Sequence, residues 1–123
     1  MKLLVADESA MLRERIIDLF SGSNHIQCIA QTEDLSSTLH SIRTVAPDAL
    51  IVDMRIISGR GRHALQDIKR ENPAMTIVVL ANLPSPLYQQ KYINAGADFY
   101  LDKSTEIKKL KEIVRGLHQP SKG

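Results

Sequence analysis

Five short apolar runs punctuate the chain: Leu3-Leu4-Val5-Ala6, Ile26 to Ala30, Ala49-Leu50-Ile51-Val52, Thr76-Ile77-Val78-Val79-Leu80 and Phe99-Tyr100-Leu101. Each has the length of a strand. Most are continuously apolar rather than alternating, which predicts strands covered on both faces. Between them apolar residues recur at helical spacing: Met11, Leu12, Ile16, Leu19 and Phe20, then Leu35, Leu39, Ile42 and Val45, then Ala64, Leu65 and Ile68. A fourth helix is predicted over Leu87 to Ala95, opening near Pro84 or Pro86 because proline fits a first turn. A fifth contains Ile107, Leu110, Ile113, Val114 and Leu117.

Strands alternating with helices through connections such as Ala46-Pro47-Asp48 and Asn72-Pro73-Ala74 make repeated βα units. The predicted fold is α/β, a doubly wound five-stranded parallel sheet between two helical layers, a flavodoxin-like three-layer sandwich. No internal repeat, low-complexity tract or second domain is visible. One domain is expected over residues 1–118, with Gln119 to Gly123 as a tail or a truncated linker.

At 123 residues the chain can bury a core without disulfides or a structural metal. Lone Cys28 offers no internal bridge and is expected as a small core residue, which suits a reducing compartment. Asp7 and Glu8 come too early for a secretory leader, and no apolar run reaches membrane-spanning length. A cytoplasmic location without membrane contact is therefore expected. A net charge of +2 is too small to argue for direct nucleic-acid binding, so Lys103, Lys108, Lys109, Lys111 and Arg115 are expected as the solvated face of a helix. His25, His40, His63 and His118 have no metal-ligand spacing and read as surface residues, and Pro84-Ser85-Pro86 as a stiff cap.

In a parallel sheet the ligand crevice lies beyond the carboxyl ends of the strands. Those ends carry Asp7-Glu8, Asp53, Ala81-Asn82 and Asp102-Lys103. Asp7, Glu8 and Asp53 together would make an oxygen-rich site suited to Mg²⁺. A carboxylate can also take a phosphoryl group as an acyl phosphate where positive charge, here the cation and Lys103, neutralises the oxygens. The plainer alternative is loop punctuation, with Asp7 or Ser9 simply capping the helix that starts near Met11.

Taken together these residues resemble the receiver domains of response regulators, the CheY-like fold, over essentially residues 1–118. Asp7-Glu8 is similar to the family's acidic pair, Leu50-Ile51-Val52-Asp53 to its phosphoacceptor strand, and Gly61 to the glycine before its third helix. Ala95-Gly96-Ala97-Asp98-Phe99-Tyr100-Leu101-Asp102-Lys103 is similar to the segment leading to its lysine, and Ala81 stands 22 positions before that lysine, the usual spacing of its switch hydroxyl. The segments 7–13 and 95–104 look closest to receivers that often precede a helix-turn-helix domain. The resemblance implies Asp53 as nucleophile and Lys103 as charge clamp. It also implies Mg²⁺ held by Asp7, Glu8, Asp53 and the backbone carbonyl of Arg55.

Several positions depart from the pattern. Ala81 replaces a hydroxyl residue that would donate to the phosphoryl group, which should weaken the link to conformational change more than the transfer itself. Asn82 could offer its amide only against the alternation of an extended strand. In the stretch after Asp53, Ile57 replaces a proline; a guanidinium from Arg55 or Arg60 near three carboxylates could hold the empty site together, partly replacing the cation, but both are expected to project into solvent from a flexible loop. Tyr100 matches the aromatic switch position, and with only a methyl group at Ala81 its ring is expected to sit inward permanently.

The resemblance implies a phosphorelay partner rather than a metabolic enzyme, with slow self-dephosphorylation at most. It implies a histidine kinase or phosphotransfer protein as donor. An output partner or a homodimer would meet the surface of the fourth predicted helix, the fifth strand and the fifth helix. Two alternatives remain: a degenerate, phosphorylation-independent interaction module, and the excised receiver half of a DNA-binding regulator.

Overall fold

The structure, a computed structural model, describes residues 1–58, 61–82 and 85–118. Arg60, Pro84 and the Gln119–Gly123 tail lie outside the described residues. Five strands, β1 (Lys2–Ala6), β2 (Gln27–Thr32), β3 (Ala49–Asp53), β4 (Thr76–Ala81) and β5 (Phe99–Asp102), pair in parallel in the order β2-β1-β3-β4-β5. The helices among the described residues are α1 (Ala10–Leu19), α2 (Leu35–Val45), α3 (Met54–Ile57), α4 (Gly61–Glu71), α5 (Pro86–Asn94) and α6 (Ile107–His118). This is the expected doubly wound sheet and three-layer sandwich.

The two-residue period of each strand divides the core. Leu4, Ala6, Leu50, Val52, Ile77, Val79 and Ala81 face Ile42 of α2, Leu65 and Ile68 of α4 and Tyr92 of α5. Leu3, Val5, Ile51, Val78 and Leu80 face Ile16 of α1 with Leu110 and Val114 of α6. Each fully buried Leu or Ile contributes about 1.5–3 kcal/mol of transfer free energy, so this alternation fixes the register. Edge strand β2 is the exception, only half-buried along most of its length. Local chemistry sets the helix ends. Ser9, Asp34 and Ser85 cap α1, α2 and α5 by accepting from the backbone N–H of Leu12, Ser37 and Tyr88, and Pro86 occupies the first turn of α5.

Three expectations are corrected. The stretch after Asp53 is not a loose loop: residues 54–57 wind into a helical turn because Ile56 and Ile57 both bury against the core, and Ile57 is wholly inaccessible. Met11 belongs to the periodic pattern of α1 yet is 74% exposed, because Ile16 and Phe20 make the buried stripe. Lys103 does not share the solvated face with exposed Lys108, Lys109 and Arg115, since it precedes α6 and is buried. Cys28 is half-buried against the Leu3 face of the core, and burial pushes its thiol pKa up.

Candidate functional site

The chain leaves β1, builds β2 on one side, and returns to place β3 on the other side of β1. Such a reversal opens the crevice at the carboxyl ends of β1 and β3. Asp7 and Asp53 stand there, each only 1% exposed. Asp7 is held by its backbone: its N–H donates to the Thr32 carbonyl at 2.9 Å, and its own carbonyl accepts from the Arg13 guanidinium. Its Oδ1 accepts from the Ser9 N–H at 2.8 Å. The capping alternative is thus realised beside the site and does not exhaust it, since Asp7 Oδ2 is left facing inward.

Lys103 arrives from β5. Its N–H donates to the Ala81 carbonyl at 2.8 Å. The turn beyond is pinned by Asp102, whose carboxylate accepts from the Ser104 hydroxyl and N–H and is thereby held below the usual carboxylate range. The Lys103 ammonium lies 2.6 Å from Asp7 Oδ2 and 3.3 Å from Asp53 Oδ1. One cation therefore bridges two buried carboxylates, which in a low-dielectric setting would otherwise repel strongly.

Arg55 corrects a further expectation. Its guanidinium does not simply project into solvent; Nε donates to Asp53 Oδ2 at 3.1 Å while the side chain stays 51% exposed. The helical turn of α3 brings residue 55 back over residue 53, which a free loop would not do. That hydrogen bond, together with the charges of Asp53, Glu8 and Asp7, raises the guanidinium pKa. The pose realised is the alternative that its place two residues after an acid allowed, a guanidinium held against the carboxylates, and not the solvated one expected from the sequence.

Glu8 is exposed at the rim and makes its influence felt as charge on Arg55. Among the described residues no three His, Cys, Asp or Glu side chains gather closely enough to hold a metal ion by themselves. Asp7 Oδ2, however, is a buried acceptor that receives no hydrogen bond, the Lys103 ammonium meeting it without hydrogen-bond alignment. Two carboxylates with one unspent lone pair fit a hydrated Mg²⁺, which commonly takes one or two carboxylates and keeps its waters. The Arg55 carbonyl accepts from the Ser58 hydroxyl at 3.2 Å, one of its two lone pairs being so used.

Beside the two cations that meet Asp53 opens a cavity of about 310 Å³ lined by Ser9, Leu12, Arg15, Arg55, Asn82, Lys103 and Ser104. Three cations and three small polar side chains suit an anion with several oxygens. Asn82 is exposed on this rim, while Ala81 is fully buried on the opposite pleat among Val79, Tyr92 and Tyr100. Tyr100 is turned inward, 7% exposed. Its ring stacks on Tyr92 with centroids 6.0 Å apart, and its hydroxyl donates to Met54 Sδ at 3.5 Å. His25, His40 and His63 are exposed.

A family model described as the response regulator receiver domain matches residues 3–115. The chain is 25% identical over 114 residues to an uncharacterized transcriptional regulatory protein, YvfU, of Bacillus subtilis, covering 93% of this chain and 57% of the relative. It is 23% identical to response regulator protein VraR of Staphylococcus aureus, covering 93% and 54%. The chain thus spans about half the length of the curated relatives it matches. Among solved structures, the REC domain of AraT from Geobacillus stearothermophilus superposes with a TM-score of 0.80 at 25% identity, over 95% of this chain and 92% of that one. The isolated REC domain of RcsB from Salmonella enterica serovar Typhimurium in its apo form gives 0.84 at 19% identity, over 95% and 86%.

Proposed function

Because the chain belongs to the response-regulator receiver domain family, we propose that it accepts a phosphoryl group on Asp53 from the phosphohistidine of a histidine kinase or phosphotransfer protein. The observation that carries this reading is Asp53 itself, a buried carboxylate held between the Lys103 ammonium and the Arg55 guanidinium, both of which line a cavity rich in cations. In the transfer an Asp53 carboxylate oxygen attacks phosphorus, the P–N bond to imidazole breaks, and the imidazole takes up a proton. Lys103 neutralises charge on the phosphoryl oxygens as they pass in line. Asp7 and Asp53, with Glu8 at the rim, would hold Mg²⁺, whose chemistry here is charge neutralisation. Attack of water on the acyl phosphate later resets the domain, so the cycle is a slow signal and not metabolic turnover.

Output in this reading passes through α5, β5 and α6, where Leu87, Tyr88 and Ile93 of α5 and Leu117 of α6 are large exposed apolar residues. An output partner, a linked domain or a second copy would read that surface. Relatives twice as long, one of them a transcriptional regulatory protein, favour a chain that works as the receiver part of a larger DNA-binding regulator. By the same reading the chain acts in the cytoplasm; no helix among the described residues is long and apolar enough to cross a membrane.

A second reading, a degenerate receiver that acts as an interaction module without taking a phosphoryl group, is favoured by one feature: Tyr100 is already inward beside Ala81. Incubating the native chain and Asp53→Asn with a small phosphodonor, with and without Mg²⁺, separates the two. Mg²⁺-dependent incorporation in the native chain alone supports the acceptor; incorporation in neither leaves the module.

A further inference from the structure

We infer that Arg55 is a built-in counter-cation of the acceptor site, competing with the divalent ion for Asp53 Oδ2. The inference rests on the acceptor reading above. Its basis is the division of the Asp53 carboxylate between two cations of different mobility. Oδ1 faces Lys103 at 3.3 Å, and Oδ2 accepts from Arg55 Nε at 3.1 Å. With Asp53 only 1% exposed, a cation that reaches it from solvent must replace one of these two.

Lys103 is poorly placed to yield. Its side chain is 6% exposed and lies 2.6 Å from Asp7, so moving it would strand two buried carboxylates. Arg55 can yield at little cost. Its side chain is 51% exposed and rooted in the single turn of α3, and the cavity of about 310 Å³ that it lines with Arg15, Asn82 and Ser104 gives the guanidinium somewhere to go. A guanidinium carries one charge where Mg²⁺ carries two, so it satisfies Asp53 only in part, and Asp7 Oδ2, ion-paired with Lys103 but accepting no hydrogen bond, favours the smaller, harder ion.

Two consequences follow for the same side chain. Loading the site costs the Arg55–Asp53 pair, so the Mg²⁺ concentration needed is raised. Once displaced toward the cavity, the guanidinium stands beside the space an incoming phosphoryl group must enter, where it adds a planar donor to that of Lys103.

The test is a Mg²⁺ titration followed by amide chemical shifts of residues 7, 53, 81 and 103 in the native chain, Arg55→Gln and Arg55→Lys, with Asp53→Asn as the site control. Arg55→Gln is expected to bind Mg²⁺ roughly ten-fold more tightly, the effect of removing a unit charge a few ångströms from a dication, and Arg55→Lys to lie between. In EDTA, Arg55→Gln should also unfold at lower urea, a loss that Mg²⁺ reverses. Equal Mg²⁺ affinity in all three proteins overturns the inference while leaving the acceptor reading intact. Absence of binding in every protein up to tens of millimolar Mg²⁺ overturns both.

Discussion

The Lys103 ammonium stands 2.6 Å from Asp7 Oδ2 with both side chains almost wholly removed from water. It is also the nearest cation to Asp53 Oδ1, so a single residue from β5 compensates acids from β1 and β3. Removing one partner of such a buried arrangement leaves uncompensated charge and is far costlier than losing a surface pair. Lys103→Met is therefore expected to lower stability by about 3 kcal/mol, read from urea denaturation in EDTA, and to abolish phosphoryl acceptance. A loss near zero would mean that the two carboxylates do not depend on Lys103.

Tyr100 supplies the second prediction. Its ring is packed on Tyr92 and its hydroxyl on Met54, beside a methyl group at Ala81. Beryllofluoride with Mg²⁺ is expected to shift the amides of Asp53, Ala81 and Lys103 while leaving the Tyr100 ring resonances where they are. A large movement of those resonances would contradict a permanently inward ring. Ala81→Ser, which restores a hydroxyl with little added volume, should connect the two regions, so that the mimic then perturbs the ring as well.

The same burial has a pH signature. Desolvation raises the Tyr100 phenol pKa above its ordinary value, with Tyr92 and Tyr88 adding to the shift. The unfolded chain then loses this proton at a lower pH than the folded one, so folding stability declines as pH rises from about 10 toward the raised value. Spectrophotometric titration of tyrosinate should show a late-ionising component that Tyr100→Phe removes. Its persistence in that variant would assign it elsewhere.

Gly96 governs how β5, and with it Lys103, enters the sheet. Its φ of +122° is one that side-chain-bearing residues rarely adopt, and an added Cβ would meet Lys69 Cβ at 2.9 Å. Lys69 is itself anchored, donating to the Met75 carbonyl at 2.8 Å and to Asp98 at 2.9 Å, so it cannot simply step aside. Gly96→Ala is expected to cost roughly 2 kcal/mol in chemical denaturation, whereas Gly116→Ala, with nothing within 4 Å and in a helix, should not destabilise.

The amino-acid sequence alone determined the layers and the place of the chemistry. Apolar period is local, so runs such as Leu50-Ile51-Val52 declared buried strands. Parallel topology then sent Asp7, Asp53 and Lys103 to one end of the sheet whatever their separation along the chain. Even the inward Tyr100 was legible, because the small residue at Ala81 leaves room beside it. Tertiary packing alone decided the orientation of the remaining parts. Arg55 turns back onto Asp53 because burial of Ile56 and Ile57 winds α3, a long-range demand of the core that no local pattern announces. Glu8 stays at the rim because Asp7 and Ser9 already use the first turn beyond β1, and Met11 faces water because Ile16 and Phe20 choose which stripe of α1 meets the sheet. Which strand ends meet follows from periodicity and chain direction, but which side chain fills the space between them depends on volumes contributed by every layer at once.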